Sequence, residues 1–472
     1  MLAEGLSPEV FDSRLKTFYQ VHLRKSPHVE LKNLRLCGTG VINVPFAESG
    51  VFLLENGKKA KFFGVATCHS SWACPCCTAK SMAKHGERIA CAIDALKKWY
   101  HQSAFMVTLT LPHLKFMSCE DTFEILKRTW HKFEHSGSMT KKYTLKTTIG
   151  ENHTGGRSVG KAGEVRILKA SKDPYMMFRR DVGIDYIVRS YEFTYGEEFH
   201  WHPHIHALFW APDKNWAKIL NHEQALVDYW WKCAVHEAKK YYTKKFSAEK
   251  AKEIVDELYA DYKKTPVTGH KAFFISKTAD GKPRKQESSY YIVGWSGDKE
   301  LTADKVKGTH KEGHVTPSEM LRQAYECQLS DPEKSERYLK LYDEYALATK
   351  GKRRLSFTPG VVKIIKKWQS TNDYVNVIKK KFMERMREDA PFRVVCWFNR
   401  EQWLKICWIE AVTHITIRAD LLELAMLPKP REKIRRYLAI HDIELLDKEL
   451  LVLTPAFVEE LVFENKFASA FR

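Results

Sequence analysis

Polar and apolar positions alternate most regularly between Ile184 and Trp210. Ile184 to Tyr195 reads as a strand, residues 196–199 as a turn, and His200 to Trp210 as a second strand. The last part of that strand, Ala207 to Trp210, is apolar and suits the centre of a sheet. Strand side chains point alternately to two faces, so His200, His202, His204 and His206 share one of them. A hairpin centred near Glu198 sets Glu192 opposite His204, and cross-strand partners point to the same side. Imidazoles two residues apart can reach one divalent cation. With Glu192 as a third ligand, His204 and His206 form an open site that leaves positions for water or phosphate oxygen. The other reading is a hairpin with histidines on its wet face and Glu192 as a solvated carboxylate.

Other periodicities place further elements. Thr78 to Tyr100 reads as a helix with Met82, Ile89, Ile93 and Leu96 on one stripe, and Cys119 to His135 also looks helical. Phe105 to Leu111 is a short apolar strand with β-branched residues. Residues 154–163 form a glycine-bearing loop with Lys141, Lys142, Lys146, Arg157 and Lys161 in or near it, either a DNA contact or a plain solvated loop. Asn221 to Lys263 is a long helical stretch. It carries Trp230, Trp231, Tyr241 and Tyr242, read mainly as helix packing and otherwise as stacking platforms for bases. Lys271 to Ser276 is a strand candidate, and residues 281–285 are a charged turn. From Val361 onward the chain shows helix-like runs and a cluster at Lys379, Lys380 and Lys381.

Composition narrows the class. With 472 residues, 44% apolar and 12% aromatic, the chain can bury a sizeable core in two or three modules. A formal charge of +19 points to a polyanionic partner, nucleic acid before an anionic membrane surface. No apolar run approaches the ~20 residues that span a bilayer. Residues 1–5 lack a basic region followed by an apolar one, so a cytoplasmic location is expected. Eleven cysteines in such a chain are read as thiols or metal ligands rather than disulfides.

The cysteines group tightly. Cys74 and Cys77 make a Cys-x2-Cys pair, and with Cys37 and Cys68 they fit a structural zinc site of four thiolates. Cys76 is the spare, too close to Cys74 for the usual knuckle turn. Buried free thiols are the bland alternative, and His69 could replace Cys37.

These motifs in this order resemble the HUH endonucleases, and more narrowly the rolling-circle replication initiators of bacterial plasmids. The resemblance rests on His204-Ile205-His206, the preceding strand with its acid, and the strand Phe105 to Pro112. It also rests on the Cys68-x5-Cys74-Pro75-x-Cys77 block with Trp72 inside it, and on Glu287 to Trp295, Lys299 to Thr302, Val315 to Pro317 and Ala348 to Leu355. It runs, with gaps, from Cys37 to Gly360.

The resemblance implies an α+β fold: an HUH nuclease domain with a central, mostly antiparallel sheet, an N-terminal zinc knuckle, and a helical C-terminal region. The expected boundaries are 1–100, 101–310 and 311–472. It implies a divalent cation, Mg or Mn, at Glu192, His204 and His206, and structural Zn at the cysteines. Aligning Trp295 with the family's tryptophan puts the tyrosine nucleophile at Tyr291, with Tyr290 beside it. Gly294 stands where the family has a lysine, a departure that puts catalysis in doubt. Read without the family, the two tyrosines are core. Lys350, Lys352, Arg353 and Arg354 resemble the family's later basic motif, which implies DNA contact. The implied function is initiation of rolling-circle replication by nicking and rejoining DNA through a covalent 5′-phosphotyrosine. Its partners are a single-stranded or cruciform origin, a host helicase and a polymerase, with no membrane. The rivals are a transposase or conjugative relaxase of the same chemistry, and a catalytically inactive zinc-containing DNA-binding protein.

Overall fold

The computed structural model of the chain describes residues 8–42, 50–56, 60–112, 116–135, 173–197, 200–264, 273–275, 282–283, 285–286, 314–371, 393–413 and 415–445. In chain order these form α1 (Pro8–Lys25), α2 (Lys32–Arg35), β1 (Gly50–Glu55), β2 (Ala60–Phe63), α3 (Pro75–Tyr100), β3 (Gln102–Thr110), α4 (Cys119–His135) and α5 (Pro174–Val182). There follow β4 (Ile187–Gly196), β5 (His200–Pro212), α6 (Glu223–Tyr242), α7 (Ala248–Lys264), β6 (Phe273–Ile275), β7 (Lys285–Gln286) and β8 (His314–Val315). The chain continues with α8 (Pro317–Cys327), α9 (Pro332–Thr349), β9 (Leu355–Phe357), α10 (Pro359–Gln369), β10 (Arg393–Asn399), α11 (Arg400–Thr413), α12 (Ile417–Ala425) and α13 (Pro430–Ile440). The architecture is mixed α and β with antiparallel sheets. Two units emerge from the contacts. One holds residues 90–292 and 355–365, and the other holds the remainder.

In the first of these units the strand order is β6-β3-β5-β4, with β7 also on β3 and β9 also on β4. Every pairing among these strands is antiparallel. Central β3 is buried on both faces, with Phe105, Met106, Val107 and Leu109 at most 3% exposed. Its near-continuous apolar run follows from that position, and solvent reaches one face of it at the half-buried Thr108 and Thr110. Helices line one face. Phe123 of α4 meets Tyr191 and Phe193 edge-on at 5.1 and 5.0 Å, and Phe178 of α5 lies 6.2 Å from Phe209. The apolar positions of α4, Phe123, Leu126, Trp130 and Phe133, recur at helical spacing and are all buried.

The helical stretch expected from Asn221 to Lys263 is two helices, α6 and α7, preceded by a 3-10 segment over Asp213–His222. The break falls at Ser247, whose Oγ accepts the Lys250 N–H at 3.2 Å and so starts a new helix. Trp230, Trp231, Tyr241 and Tyr242 are at most 8% exposed, which makes them core. Helix α3 begins at Pro75 rather than Thr78, because proline is preorganised for a first helical position.

In the other unit a smaller sheet has the order β10-β1-β2, antiparallel throughout. Strand β10 lies in the region expected to be helical. Its run Val394-Val395-Cys396-Trp397-Phe398 has β propensity, and it pairs with β1 from Gly50↔Asn399 to Glu55↔Arg393. Helices α11, α12 and α13 cover this sheet, with Trp403, Ile406, Leu421, Ile434 and Leu438 in one core with Val51, Leu53 and Phe398. Arg418, 2% exposed, is ion-paired to Glu410 at 2.5 Å and donates to the Gly38 carbonyl at 3.3 Å and to Gln20 Oε1 at 3.0 Å. Gly38 has φ +77°, a left-handed turn next to Cys37 that favours glycine. No helix of the described residues is long and apolar enough to cross a membrane.

Candidate metal centre

The hairpin of β4 and β5 has the register that alternation predicts, with Glu192 opposite His204 and Ser190 opposite His206. Glu192, His204 and His206 are 5, 9 and 8% exposed. Glu192 Oε2 lies 2.8 Å from His204 Nε2 and 2.7 Å from His206 Nε2. Burial alone would raise the Glu192 carboxyl. His204 and then His206 outweigh it and hold the group down at about 2.

The outer nitrogens of both rings have partners of their own. His204 Nδ1 sits 3.4 Å from the His202 carbonyl, which can only accept, so Nδ1 carries the proton. His206 Nδ1 sits 3.0 Å from Thr108 Oγ1, on the strand position directly opposite. In the neutral imidazole of His204, Nε2 is then an acceptor aimed at a carboxylate oxygen. Two lone pairs facing each other at this separation call for a positive charge between them: a second proton on the ring, or a metal ion. The other oxygen, Glu192 Oε1, is buried with no hydrogen-bond partner among the described residues. The ligand separations also suit an ion. Bonds of about 2.1 Å in octahedral geometry set neighbouring ligands about 3.0 Å apart. The donor set therefore fits a divalent cation.

Of the four alternating histidines, only His204 and His206 join this group. His202 is half-buried with its ring 5.7 Å from that of His204. His200 takes a left-handed φ of 58° and stacks on Tyr195. Thr108, which touches one of these rings, was not singled out in the sequence. Tyr290, Tyr291 and Gly294 lie outside the described residues, as do Lys379 to Lys381 and the loop 154–163 with Lys141, Lys142 and Lys146.

A second donor group gathers Cys37, Cys68, Cys74 and Cys77, with all four sulfurs within 4.8 Å of one another. Cys37 Sγ is 3.6 Å from Cys77 Sγ and 3.7 Å from Cys74 Sγ. These distances exclude disulfides and match the edge of about 3.8 Å that a tetrahedron with 2.3 Å Zn–S bonds requires. Hydrogen bonds from Cys68, Cys74 and Cys77 drive the Cys37 thiol down, and the same bonds push Cys68 and Cys74 up. Cys77 is opposed by Cys37 but drawn down by Cys68 and Cys74 to about 7. A cation is what allows all four to ionise together. Cys76 is outside the group, its thiol pushed up by burial to about 11. His69 is outside it too.

The four basic residues expected to contact DNA separate in the structure. Lys350 and Arg353 are exposed, Lys352 is half-buried, and Arg354 is buried at 9%. Arg354 packs on Trp72, with its guanidinium carbon 5.5 Å from the ring centroid.

No family model matches the chain, and no solved structure matches it. Over 160 residues it is 29% identical to a neomycin resistance protein of Streptomyces cyanogenus, a match that covers 34% of this chain and 33% of that protein. The chain thus matches about a third of the length of that relative.

Proposed function

We propose that this chain is a metal-dependent DNA strand transferase of the HUH type, which initiates rolling-circle replication by nicking and rejoining an origin. The observation that carries this reading is the convergence of Glu192 Oε2 with the Nε2 atoms of His204 and His206 on paired strands. A bound divalent cation would neutralise charge on the scissile phosphate and orient it. Glu192, ionised well below neutral pH, supplies the one negative charge of the donor set. Thr108 and the His202 carbonyl hold the two rings with Nε2 turned inward. Tyr291 attacks the phosphorus, the bond to the 3′ oxygen breaks, and the 5′ phosphate stays on the tyrosine. The freed 3′ hydroxyl takes up the proton and can prime a polymerase. The net charge of +19 suits the DNA partner.

A single-stranded origin oligonucleotide with Mn is the substrate of the test. Wild type should form a covalent adduct, Tyr291→Phe should lose it, and Tyr290→Phe should keep it. His204→Ala and His206→Ala should abolish cleavage while duplex binding persists. The reading fails if the double alanine variant still cleaves. Wild type that binds but never cleaves favours a non-catalytic DNA-binding protein, in line with Gly294 in the lysine position. A second reading, aminoglycoside resistance, follows from the partial match to the neomycin resistance protein. Raised tolerance to neomycin in a host that expresses the chain would support it.

A further inference from the structure

The cysteine knuckle and the basic turn after α9 are joined through Trp72 and Arg354. We propose that the four-cysteine knuckle is a buttress for a phosphate-binding surface at Lys350, Lys352 and Arg353, so that zinc occupancy sets how tightly the chain grips a nucleic-acid backbone. The inference rests on DNA as the partner in the proposed function, but it uses neither the Glu192 centre nor the tyrosine.

The turn is built to protrude. Helix α9 ends at Thr349, whose carbonyl accepts the Lys352 N–H at 3.0 Å, and Gly351 follows with φ +69°. Nothing lies within 4 Å of where a Gly351 Cβ would be, so the turn faces open space. Its cations are displayed there: Lys350 and Arg353 are exposed and Lys352 half-exposed.

The base of the turn is fixed to the knuckle. Trp72 Nε1 donates to the Lys352 carbonyl at 2.7 Å. The Ser71, Trp72 and Ala73 carbonyls accept, in that order, from Arg354 Nη1 at 3.5 Å, Tyr345 OH at 3.4 Å and Tyr342 OH at 2.9 Å. Three consecutive carbonyls are thus captured by residues 342–354. All three lie between the ligands Cys68 and Cys74, so the path of this loop depends on what holds those sulfurs together. Ser70 Oγ tightens the loop further by accepting the N–H groups of Trp72 and Ala73. Arg354 is therefore a positioning residue. It spends its cation on the Trp72 ring and leaves phosphate contact to its neighbours.

The surroundings are positive. Burial first, and then Arg88, Lys84 and Arg354, depress His85 on α3 to about 4. A crowd of like charge repels itself, and a row of phosphates relieves that repulsion. Cations after a helix C-terminus also favour the helix dipole. That role alone would leave the salt dependence of DNA binding untouched, and the test uses this difference.

The test is equilibrium binding of a random-sequence duplex by the full chain over a range of salt concentrations. It is run in the His204→Ala, His206→Ala background without added divalent cation, with zinc content measured in parallel. In that background, failure of the nuclease reading cannot affect the result. Lys350→Ala with Arg353→Ala should keep the zinc and reduce the log–log salt slope by about 2, near 0.9 for each lost phosphate contact. Trp72→Phe keeps the ring under Arg354 but removes the donor to Lys352. It should retain zinc, yet bind at least threefold more weakly and with a shallower slope. Wild type stripped by a zinc chelator should show the same shallower slope. Zinc-loaded Trp72→Phe that binds like its parent would overturn the coupling. An unchanged slope in the double alanine variant would overturn the surface. Variants that lose binding to phosphatidylserine-containing vesicles but not to DNA would overturn the nucleic-acid partner in favour of a membrane.

Discussion

Replacing Thr108 with valine isolates one contact of the proposed metal centre. Valine keeps the volume and β-branching that suit central strand β3, so the sheet is undisturbed. What disappears is the oxygen 3.0 Å from His206 Nδ1. A hydrogen bond of this kind is worth about 0.5–1.5 kcal/mol, and Thr108 is half-buried, so the effect on stability is small. The effect on metal binding is larger. Binding through Nε2 requires the proton on Nδ1, and the Thr108 oxygen accepts that proton and fixes the ring plane. Losing such a partner costs about 10- to 100-fold in affinity, equal to roughly 1.4–2.7 kcal/mol. Calorimetric titration of zinc-loaded protein with Mn, with His204→Ala as the control lacking the site, reads this directly. Thr108→Val should weaken Mn binding 10- to 100-fold with a melting temperature near that of wild type. Thr108→Ser, which restores an oxygen, should stay within about threefold of wild type. Wild-type affinity in the valine variant would refute the orienting role. Equal losses in valine and serine would show that packing, rather than the hydroxyl, is at work.

Three further outcomes follow from other sites. The purified chain should carry one tightly bound zinc, and Cys74→Ser with Cys77→Ser should lose it together with the fold around the knuckle, as metal analysis and circular dichroism would show. Arg418→Met leaves Glu410 buried without its cation and removes one of the two donors, beside Trp403 Nε1, to the Gly38 carbonyl. It should cost about 3–5 kcal/mol in denaturant unfolding, and a loss below about 1 kcal/mol would show that the pair is replaceable. His85 gives an acid-linked loss. Its pKa is depressed in the fold to about 4, from an ordinary 6.5, so its contribution is complete above pH 6.5 and is lost as pH falls through 4. The loss is at most about 3 kcal/mol, and unfolding curves of His85→Gln should show a smaller drop between pH 7 and pH 4 than wild type.

The metal hairpin was legible because two independent constraints agree. Strand alternation puts the histidines on one face, and a short turn fixes the register that brings Glu192 opposite His204. The cysteine group was legible for a similar reason. Thiolate zinc sites demand close spacing, and Cys74 and Cys77 supply half of one within a single turn. Thr108 was not legible, because its role depends on which strand neighbours β5, and that pairing crosses nearly a hundred residues of sequence. Strand β10 was missed for the same reason. It is one of the chain's short apolar runs, and nothing local distinguishes it from a helix segment until β1 is beside it.

Arg354 shows where charge reading fails. Lys350, Lys352, Arg353 and Arg354 look equivalent in sequence, a basic run of the kind that touches phosphate. Burial divides them: Arg354 turns inward onto Trp72, while Lys350 and Arg353 remain exposed. Its value to binding would be indirect, through the position it gives its neighbours. Alanine at Arg354 could therefore weaken DNA binding as much as alanine at Lys350 with no phosphate contact of its own, so affinity alone cannot assign the role. A contact residue removes about one unit from the salt slope and leaves zinc retention unchanged. A positioning residue also loosens the knuckle, and it should speed the release of zinc to a chelator. Slope and release rate measured on the same variants separate the two.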